Sequence, residues 1–283
     1  MSDHPVVLST SDHSRDSAGM TYVYPVVSRR AGGVSLGINL NPNNACNWHC
    51  IYCQVPNLGR GGPPPIDLGL LARELDMMLD DLQSGEFLVR RVPAALRRLV
   101  DIAFSGNGEP TSAREFPDAV MVASDAVARH QLTNDVRLRL ITNGSLIERR
   151  SVRRGLELLS RAGGEVWFKV DAADARSLAR INSTRTSVEA MGRRLDECGA
   201  LCPTWVQTCL FALDGQPLSS SELAALTGFL VAHKESVCGV HLYGLARPSA
   251  QAAAPRLAPV PEAWLHRLAS RLRDQGVTVT VSP

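Results

Sequence analysis

Lysine is almost missing from this chain of 283 residues: two of the 30 basic residues are Lys169 and Lys234, which leaves 28 arginines. Chemistry that needs a side-chain amine, such as an imine, therefore has two candidates besides the amino terminus. A strong net charge is also lacking. The balance is +2, which offers no broad field for a polyanion or an acidic membrane surface. Long uncharged apolar runs are absent, which excludes a membrane-spanning helix, and an apolar fraction of 45% excludes a disordered chain. The opening MSDHPVVLSTSDHSRDSAG lacks the basic segment and continuous apolar stretch of a signal peptide, so a cytoplasmic protein is expected. Seven cysteines make an odd set, and a reducing compartment argues against a disulfide framework.

Short β-branched runs alternate with amphipathic stretches along the chain. The strand-like runs are Val34 to Leu40, Leu99 to Phe104, Val136 to Thr142, Glu165 to Asp171, Trp205 to Phe211 and Val237 to Tyr243. Helical patterns follow them at Leu68 to Leu82, Phe116 to Gln131, Glu148 to Arg161, Ser187 to Gly199, Ser220 to His233 and Pro261 to Gln275, with Asp67 placed to cap the first. Six strand-helix units imply an α/β fold with parallel strands. No dinucleotide-binding glycine fingerprint follows the first strand, which favours a partial (β/α)6 TIM-type barrel over a doubly wound sheet. The final VTVTVSP reads as a short added edge strand. Residues 1–20 read as a mobile, disordered segment, and residues 21–283 as one domain.

The cysteines are unevenly placed. Cys46, Cys50 and Cys53 fall within NPNNACNWHCIYCQVP, a loop that follows the first strand and so sits at the carboxyl end of the sheet, where parallel α/β barrels carry their active sites. Three thiolates so spaced can hold one face of a cubic iron-sulfur cluster and leave the fourth iron open. A structural zinc needs a fourth ligand, and His49, inside the same loop, is poorly placed to supply it. Cys198, Cys202, Cys209 and Cys238 match no cluster spacing and read as buried small hydrophobes rather than an auxiliary cluster.

With Tyr52 directly before the last cysteine, and with SGNGEPT (Ser105 to Thr111) after the second strand, the chain resembles the radical S-adenosylmethionine (SAM) superfamily. Its turn carries Gly106, Asn107, Gly108 and Glu109 where the superfamily has a glycine-glycine-glutamate motif, so Asn107 interrupts the glycine pair. The resemblance extends over nearly all of the chain after residue 30. It implies a partial barrel holding a 4Fe-4S cluster on Cys46, Cys50 and Cys53, with the amino and carboxylate groups of SAM on the open iron. An external low-potential donor of the flavodoxin or ferredoxin type would reduce the cluster. Reductive cleavage of SAM then gives methionine and a 5′-deoxyadenosyl radical that takes hydrogen from a substrate.

The candidate cofactor-binding residues are Tyr52, Gly106, Asn107, Gly108, Glu109, Thr142, Asn143, Lys169 and Asp171. Glycines in the turn let backbone approach a ligand closely, although a plain βα turn has the same composition. Thr142 and Asn143 end the third strand, where the alternative is a helix-capping turn. Trp167, Lys169 and Asp171 share one face of the fourth strand: a site if that face is the barrel interior, a rim ion pair if it is not. Opposed effects of burial and of Asp171 favour a charged Lys169 that forms no imine. Arg247, after the sixth strand, is placed to clamp an anionic substrate.

Within the superfamily, SLGINLNPNNACNWHCIYC, SGNGEPT and VDAAD most resemble the iron-sulfur oxidoreductase group that includes the wyosine-base synthase. The amino-terminal cysteine set of that synthase is absent, and the near-neutral charge gives an RNA substrate little to bind to. A glycyl-radical activating enzyme and a non-catalytic iron-sulfur scaffold are the alternatives.

Overall fold

The structure is a computed structural model that describes Leu8 and residues 18–28 and 32–283. An antiparallel hairpin of β1 (Val23–Ser28) and β2 (Gly33–Ile38) begins the sheet, and the loop after β2 carries a two-residue ladder between β3 (Ala45–Cys46) and β4 (Gly59–Arg60). There follow α1 (Leu68–Ser84), α2 (Glu86–Arg91), β5 (Leu99–Phe104), α3 (Phe116–Arg129), β6 (Arg137–Thr142), α4 (Arg150–Arg161) and β7 (Glu165–Lys169). The remaining elements are α5 (Ala175–Asn182), α6 (Val188–Leu201), β8 (Thr204–Leu213), α7 (Ser220–Ala232), β9 (Gly239–Gly244), β10 (Leu257–Pro259), α8 (Glu262–Arg273) and β11 (Val279–Ser282).

The main sheet runs β1-β2-β5-β6-β7-β8-β9-β11, parallel from β2 onward, and β10 pairs antiparallel with β8. It is the curled partial barrel expected from six strand-helix units, with VTVTVSP on its far edge as β11. The hairpin partner β1 and the helices α2 and α5 were not legible in the periodicity. Each is short, and β1 lies outside the strand-helix alternation. Of the first twenty residues, Leu8 is buried and its amide donates to the Arg91 carbonyl, at 2.8 Å. The expectation of disorder otherwise falls outside the described residues, apart from residues 18–20. No helix among the described residues is long and apolar enough to cross a membrane.

Alternation along the strands divides the sheet into two unlike faces. Leu36, Ile38, Ile102, Phe104, Leu138, Leu140, Val166, Phe168, Val206, Val240 and Leu242 are buried in the apolar core. The residues between them, including Ser35, Asp101, Arg139, Trp167, Lys169, Gln207 and Tyr243, line a cavity of about 310 Å³ on the concave side. The helices supply the other half of the core through stripes such as Leu71, Leu75, Met78, Leu79 and Leu82 on α1. Asp67 caps α1 as anticipated, accepting from the Leu70 amide at 2.9 Å.

One buried carboxylate on α1 fixes the start of the sheet. Glu74 accepts from the backbone amides of Thr21 (2.8 Å), Tyr22 (2.7 Å) and Val23 (3.1 Å) where the chain enters β1. Glu74→Ala leaves the amides of the buried Tyr22 and Val23 without a partner, and denaturant unfolding should show a loss of about 2–4 kcal/mol. A loss below about 0.5 kcal/mol would mean that the amides find other partners.

Candidate active site at the cysteine loop

The cysteine loop has almost no regular structure, so side-chain amides hold it. Asn39 Oδ1 accepts from the Asn41 amide (3.1 Å) and from the Asn107 amide (3.0 Å), joining the loop to the turn after β5. Asn41 Nδ2 donates to the Ala45 carbonyl at 2.9 Å, and Asn107 Nδ2 donates to Asn44 Oδ1 at 2.6 Å. Asn47 bridges to the end of β6: its Nδ2 donates to Ser145 Oγ (2.7 Å) and its Oδ1 accepts from Asn143 Nδ2 (2.9 Å). At the far side, Ser249 Oγ donates to the Ile51 carbonyl at 2.8 Å and the Ala250 amide donates to that of Cys53 at 2.9 Å.

Glu109 is buried and its carboxylate is fully engaged. Oε1 accepts from the Thr111 hydroxyl (2.6 Å), the Thr111 amide (3.2 Å) and the Thr142 hydroxyl (2.6 Å), and Oε2 accepts from the Asn143 amide (2.7 Å). Burial pushes its pKa up, against the lowering effect of those four donors. The carboxylate thus ties the turn after β5 to the end of β6. The expected glycine turn is also packed against protein: a Cβ on Gly108 would collide with the Ala45 carbonyl oxygen and lie 2.6 Å from Asn41 Cγ. Gly106 has φ +129° and a Cβ there would lie 2.6 Å from Asn39 Oδ1. Both glycines are needed for the turn and the cysteine loop to meet.

The face question posed by Trp167, Lys169 and Asp171 has a clear answer. Lys169 points into the concave cavity, and its Nζ donates to Tyr52 Oη at 2.7 Å and lies 3.4 Å from Tyr243 Oη. Tyr52 Oη donates in turn to Asp171 Oδ2 at 2.5 Å, while Asp171 Oδ1 accepts from the Cys209 amide at 3.0 Å. Burial is the strongest single influence and opposes the Lys169 charge, but the Asp171 carboxylate 4.0 Å away acts together with Tyr243, Cys50 and Cys209 to raise the pKa overall. Burial, reinforced by Asp171, pushes the Tyr52 hydroxyl well above its ordinary value. The group is therefore a cationic lysine, a neutral tyrosine and a carboxylate.

Asn182 completes this chain and was missed in the sequence, where it sits in the unanticipated α5. It is fully buried, and its Nδ2 donates both to Asp171 Oδ2 (2.7 Å) and to Cys50 Sγ (3.3 Å). The end of α5 also grips the cysteine loop by backbone: the His49 amide donates to the Asn182 carbonyl at 3.2 Å and that of Ile51 to Ile181 at 2.9 Å. A second missed feature forms the cavity base. Arg139 reaches Asp101 on β5 and Glu165 on β7, Ser35 also donates to Asp101, and the Trp167 indole donates to Glu165 at 2.9 Å. Burial works against the Glu165 charge, yet Arg139 holds its carboxyl below the usual range. The equal parity of Asp101 in LVDIAF, Arg139 in VRLRLIT and Glu165 in EVWFKVD was the available signal.

Cys46, Cys50 and Cys53 all line the cavity, together with Gly106 to Glu109, Thr142, Asn143 and Arg247. Burial pushes the Cys46 thiol up to about 11 and the Cys50 thiol up to about 12. Among the described residues, no three His, Cys, Asp or Glu side chains gather tightly enough to hold one metal ion. A cubic cluster needs three thiols that open on one space, and these three line a single cavity. Of the other cysteines, Cys198, Cys202 and Cys209 are buried as expected, but Cys238 is exposed because β9 begins only at Gly239.

The sequence pattern of the radical SAM superfamily matches residues 40–224, from the cysteine loop to the first turn of α7. The chain belongs to the radical SAM superfamily. Enzymes of this superfamily use a 4Fe-4S cluster and SAM and need an external reductant. The radical SAM chain is 33% identical over 162 residues to UPF0026 protein MJ1312 of Methanocaldococcus jannaschii, covering 56% of this chain and 42% of that protein. It is 29% identical over 135 residues to a protein named GTPase Obg of Brachyspira hyodysenteriae, covering 47% of this chain and 17% of that one. The chain thus spans less than half the length of these curated relatives. Its fold is similar to that of a radical SAM methyltransferase from Sphaerobacter thermophilus (TM-score 0.57, 18% identity, 88% of this chain and 66% of that one). It is also similar to HydG, a maturase of the [FeFe]-hydrogenase (TM-score 0.54, 12% identity, 88% and 55%).

Gly108→Ala tests the joint between turn and loop. The new methyl displaces the Ala45 carbonyl, so iron retained after anaerobic reconstitution should fall at least about threefold, with a structural loss of the overpacking kind. Wild-type iron content in that variant would show that the loop yields without cost.

Proposed function

We propose that this radical SAM enzyme holds its 4Fe-4S cluster on Cys46, Cys50 and Cys53 and acts on a substrate seated in the concave cavity. The observation that carries the reading is the convergence of the three thiols, the Gly106–Glu109 turn and the end of β6 on one cavity beneath a positively charged lysine. When bound, cluster and SAM supply an electron and a sulfonium ester whose reductive cleavage yields a 5′-deoxyadenosyl radical able to take hydrogen from the substrate.

The chain's own residues bind and position. The Gly106–Asn107–Gly108 turn lines the cavity, where its backbone carbonyls would serve a ligand's ammonium as acceptors, while its missing Cβ atoms serve the packing against the cysteine loop. Glu109 and Thr142 act through the backbone they hold and leave Asn143 beside the thiols. Lys169 presents a fixed cation, held by Tyr52 and backed by Asp171, to an anionic group of cofactor or substrate. The buried Asp101–Arg139–Glu165 base, with Arg137 on Glu165 balancing the second carboxylate, keeps the cavity floor polar without a net charge, and Arg247 in the lining is placed for an anionic substrate.

Anaerobic reconstitution should give close to four irons per chain, and Cys46→Ala, Cys50→Ala or Cys53→Ala should abolish the bound cluster. Replacing Cys198, Cys202 and Cys238 together by Ala should leave the iron count intact. Zinc in place of iron, or a second cluster, would refute the ligand set. With a reductant and SAM the loaded protein should release 5′-deoxyadenosine; an intact, reducible cluster that releases none would favour a scaffold role.

The charged state of Lys169 makes a second statement. Borohydride treatment with pyruvate, followed by peptide mass mapping, should leave Lys169 unmodified, because an ammonium paired to Asp171 is not nucleophilic. A reduced pyruvyl adduct on Lys169 would instead promote a wyosine-like condensation.

A further inference from the structure

Behind the cysteine loop lies a second recess, of about 490 Å³, lined by Asn47, Trp48, Ser145, Thr184 and three arginines: Arg60, Arg185 and Arg194. Trp48 lines this recess and the thiol cavity alike, so the loop between Cys46 and His49 is the wall that separates them. No Asp or Glu belongs to the recess lining. Arg60 is held by two backbone carbonyls, Nη1 to Asn47 (3.2 Å) and Nη2 to Ser183 (2.9 Å), contacts that orient the guanidinium and leave its charge uncompensated. Arg185 is exposed. Arg194 is paired at its Nη2 with Glu148 (3.2 Å), a half-exposed carboxylate, while its Nε is buried with no hydrogen-bond partner.

We propose that this arginine recess is the docking surface for an acidic electron-donor protein. The proposal rests on Cys46, Cys50 and Cys53 holding the cluster. Carboxylates of the partner would enter the recess and pair with Arg185, Arg194 and the outer face of Arg60. The recess is built on Asn47, the residue next to Cys46, which puts the partner directly behind the cluster-bearing loop. A substrate held there would be cut off from the thiol cavity by Trp48, so an electron carrier fits the position and a substrate does not. The step transfers one electron: a flavin hydroquinone in the donor is oxidised to the semiquinone and the four-iron cluster is reduced by one electron, with no bond made or broken on the enzyme.

Stopped-flow reduction of the reconstituted protein by flavodoxin hydroquinone, under anaerobic conditions, tests this against reduced methyl viologen, a small cation with no use for an anion-binding surface. Arg185→Glu combined with Arg194→Gln should slow reduction by flavodoxin by about tenfold or more at low ionic strength, and added salt should slow the wild type far more than the variant. Methyl viologen should reduce both equally, with equal iron content. Flavodoxin rates within about twofold of each other, alongside normal bleaching by the viologen, overturn the docking surface alone. Failure of the viologen to bleach the wild type would remove the cluster reading and this proposal with it. Loss of short single-stranded RNA binding in the variant, with flavodoxin reduction unchanged, would reassign the recess to nucleic acid.

Discussion

The two-residue period of a β-strand is the constraint on which the rest of this molecule depends. Each parallel strand offers one row of side chains to the helices and the other to the concave side, and no residue can serve both. Apolar residues such as Leu36, Phe104, Leu140 and Phe168 fill the first row, and Ser35, Asp101, Arg139, Lys169 and Gln207 fill the second. Stability and chemistry are therefore written on alternate residues of the same segments. A slip of one residue in register would bury Asp101 and Arg139 against α1 and α3 and turn Phe104 into the cavity.

This interleaving also explains what the sequence disclosed. The six parallel strands and their helices were legible because amphipathic helices and β-branched runs carry strong periodic signals. So was the cysteine triplet, whose spacing is itself chemical. The base of the cavity was equally present in the sequence as parity across LVDIAF, VRLRLIT and EVWFKVD, but parity becomes contact only once strand order and register are known: Arg139 sits opposite Glu165 across the β6–β7 ladder. Asn182 was beyond reach for a different reason. It lies in an eight-residue helix between β7 and α6, and its closeness to Cys50 joins positions 132 residues apart. The roles expected of Glu109 and Gly108 changed for a third reason. Composition marks a turn as able to approach something, and here the thing approached is the chain's own cysteine loop.

A continuous polar path links the two halves of the site. From Lys169 it passes through Tyr52 and Asp171 to Asn182 and ends on Cys50, crossing β7, the cysteine loop and α5. Each group is bonded to the next, as low-dielectric surroundings demand, and one polar atom of the chain, Asn182 Oδ1, is left buried without a partner. The cationic end faces the cavity and the amide end faces the thiol, so the network presents positive charge and hydrogen-bond donors to the region where anionic ligands and thiolates gather. A cluster seated there would find N–H···S contact ready from Asn182, the kind of contact by which proteins set the reduction potential of iron-sulfur centres.

The joint between Gly108 and Ala45 has a consequence for anyone who would rebuild such a site. Turn and loop interlock at a spacing that admits no side chain, and the amides of Asn39, Asn41, Asn44 and Asn107 are shared between them. Neither segment carries the information for its own shape. A graft of the three-cysteine loop alone into another scaffold would bring ligands without the surface that moulds them. The smallest transferable module is two separate stretches, residues 39–62 and 105–112, that must be moved together.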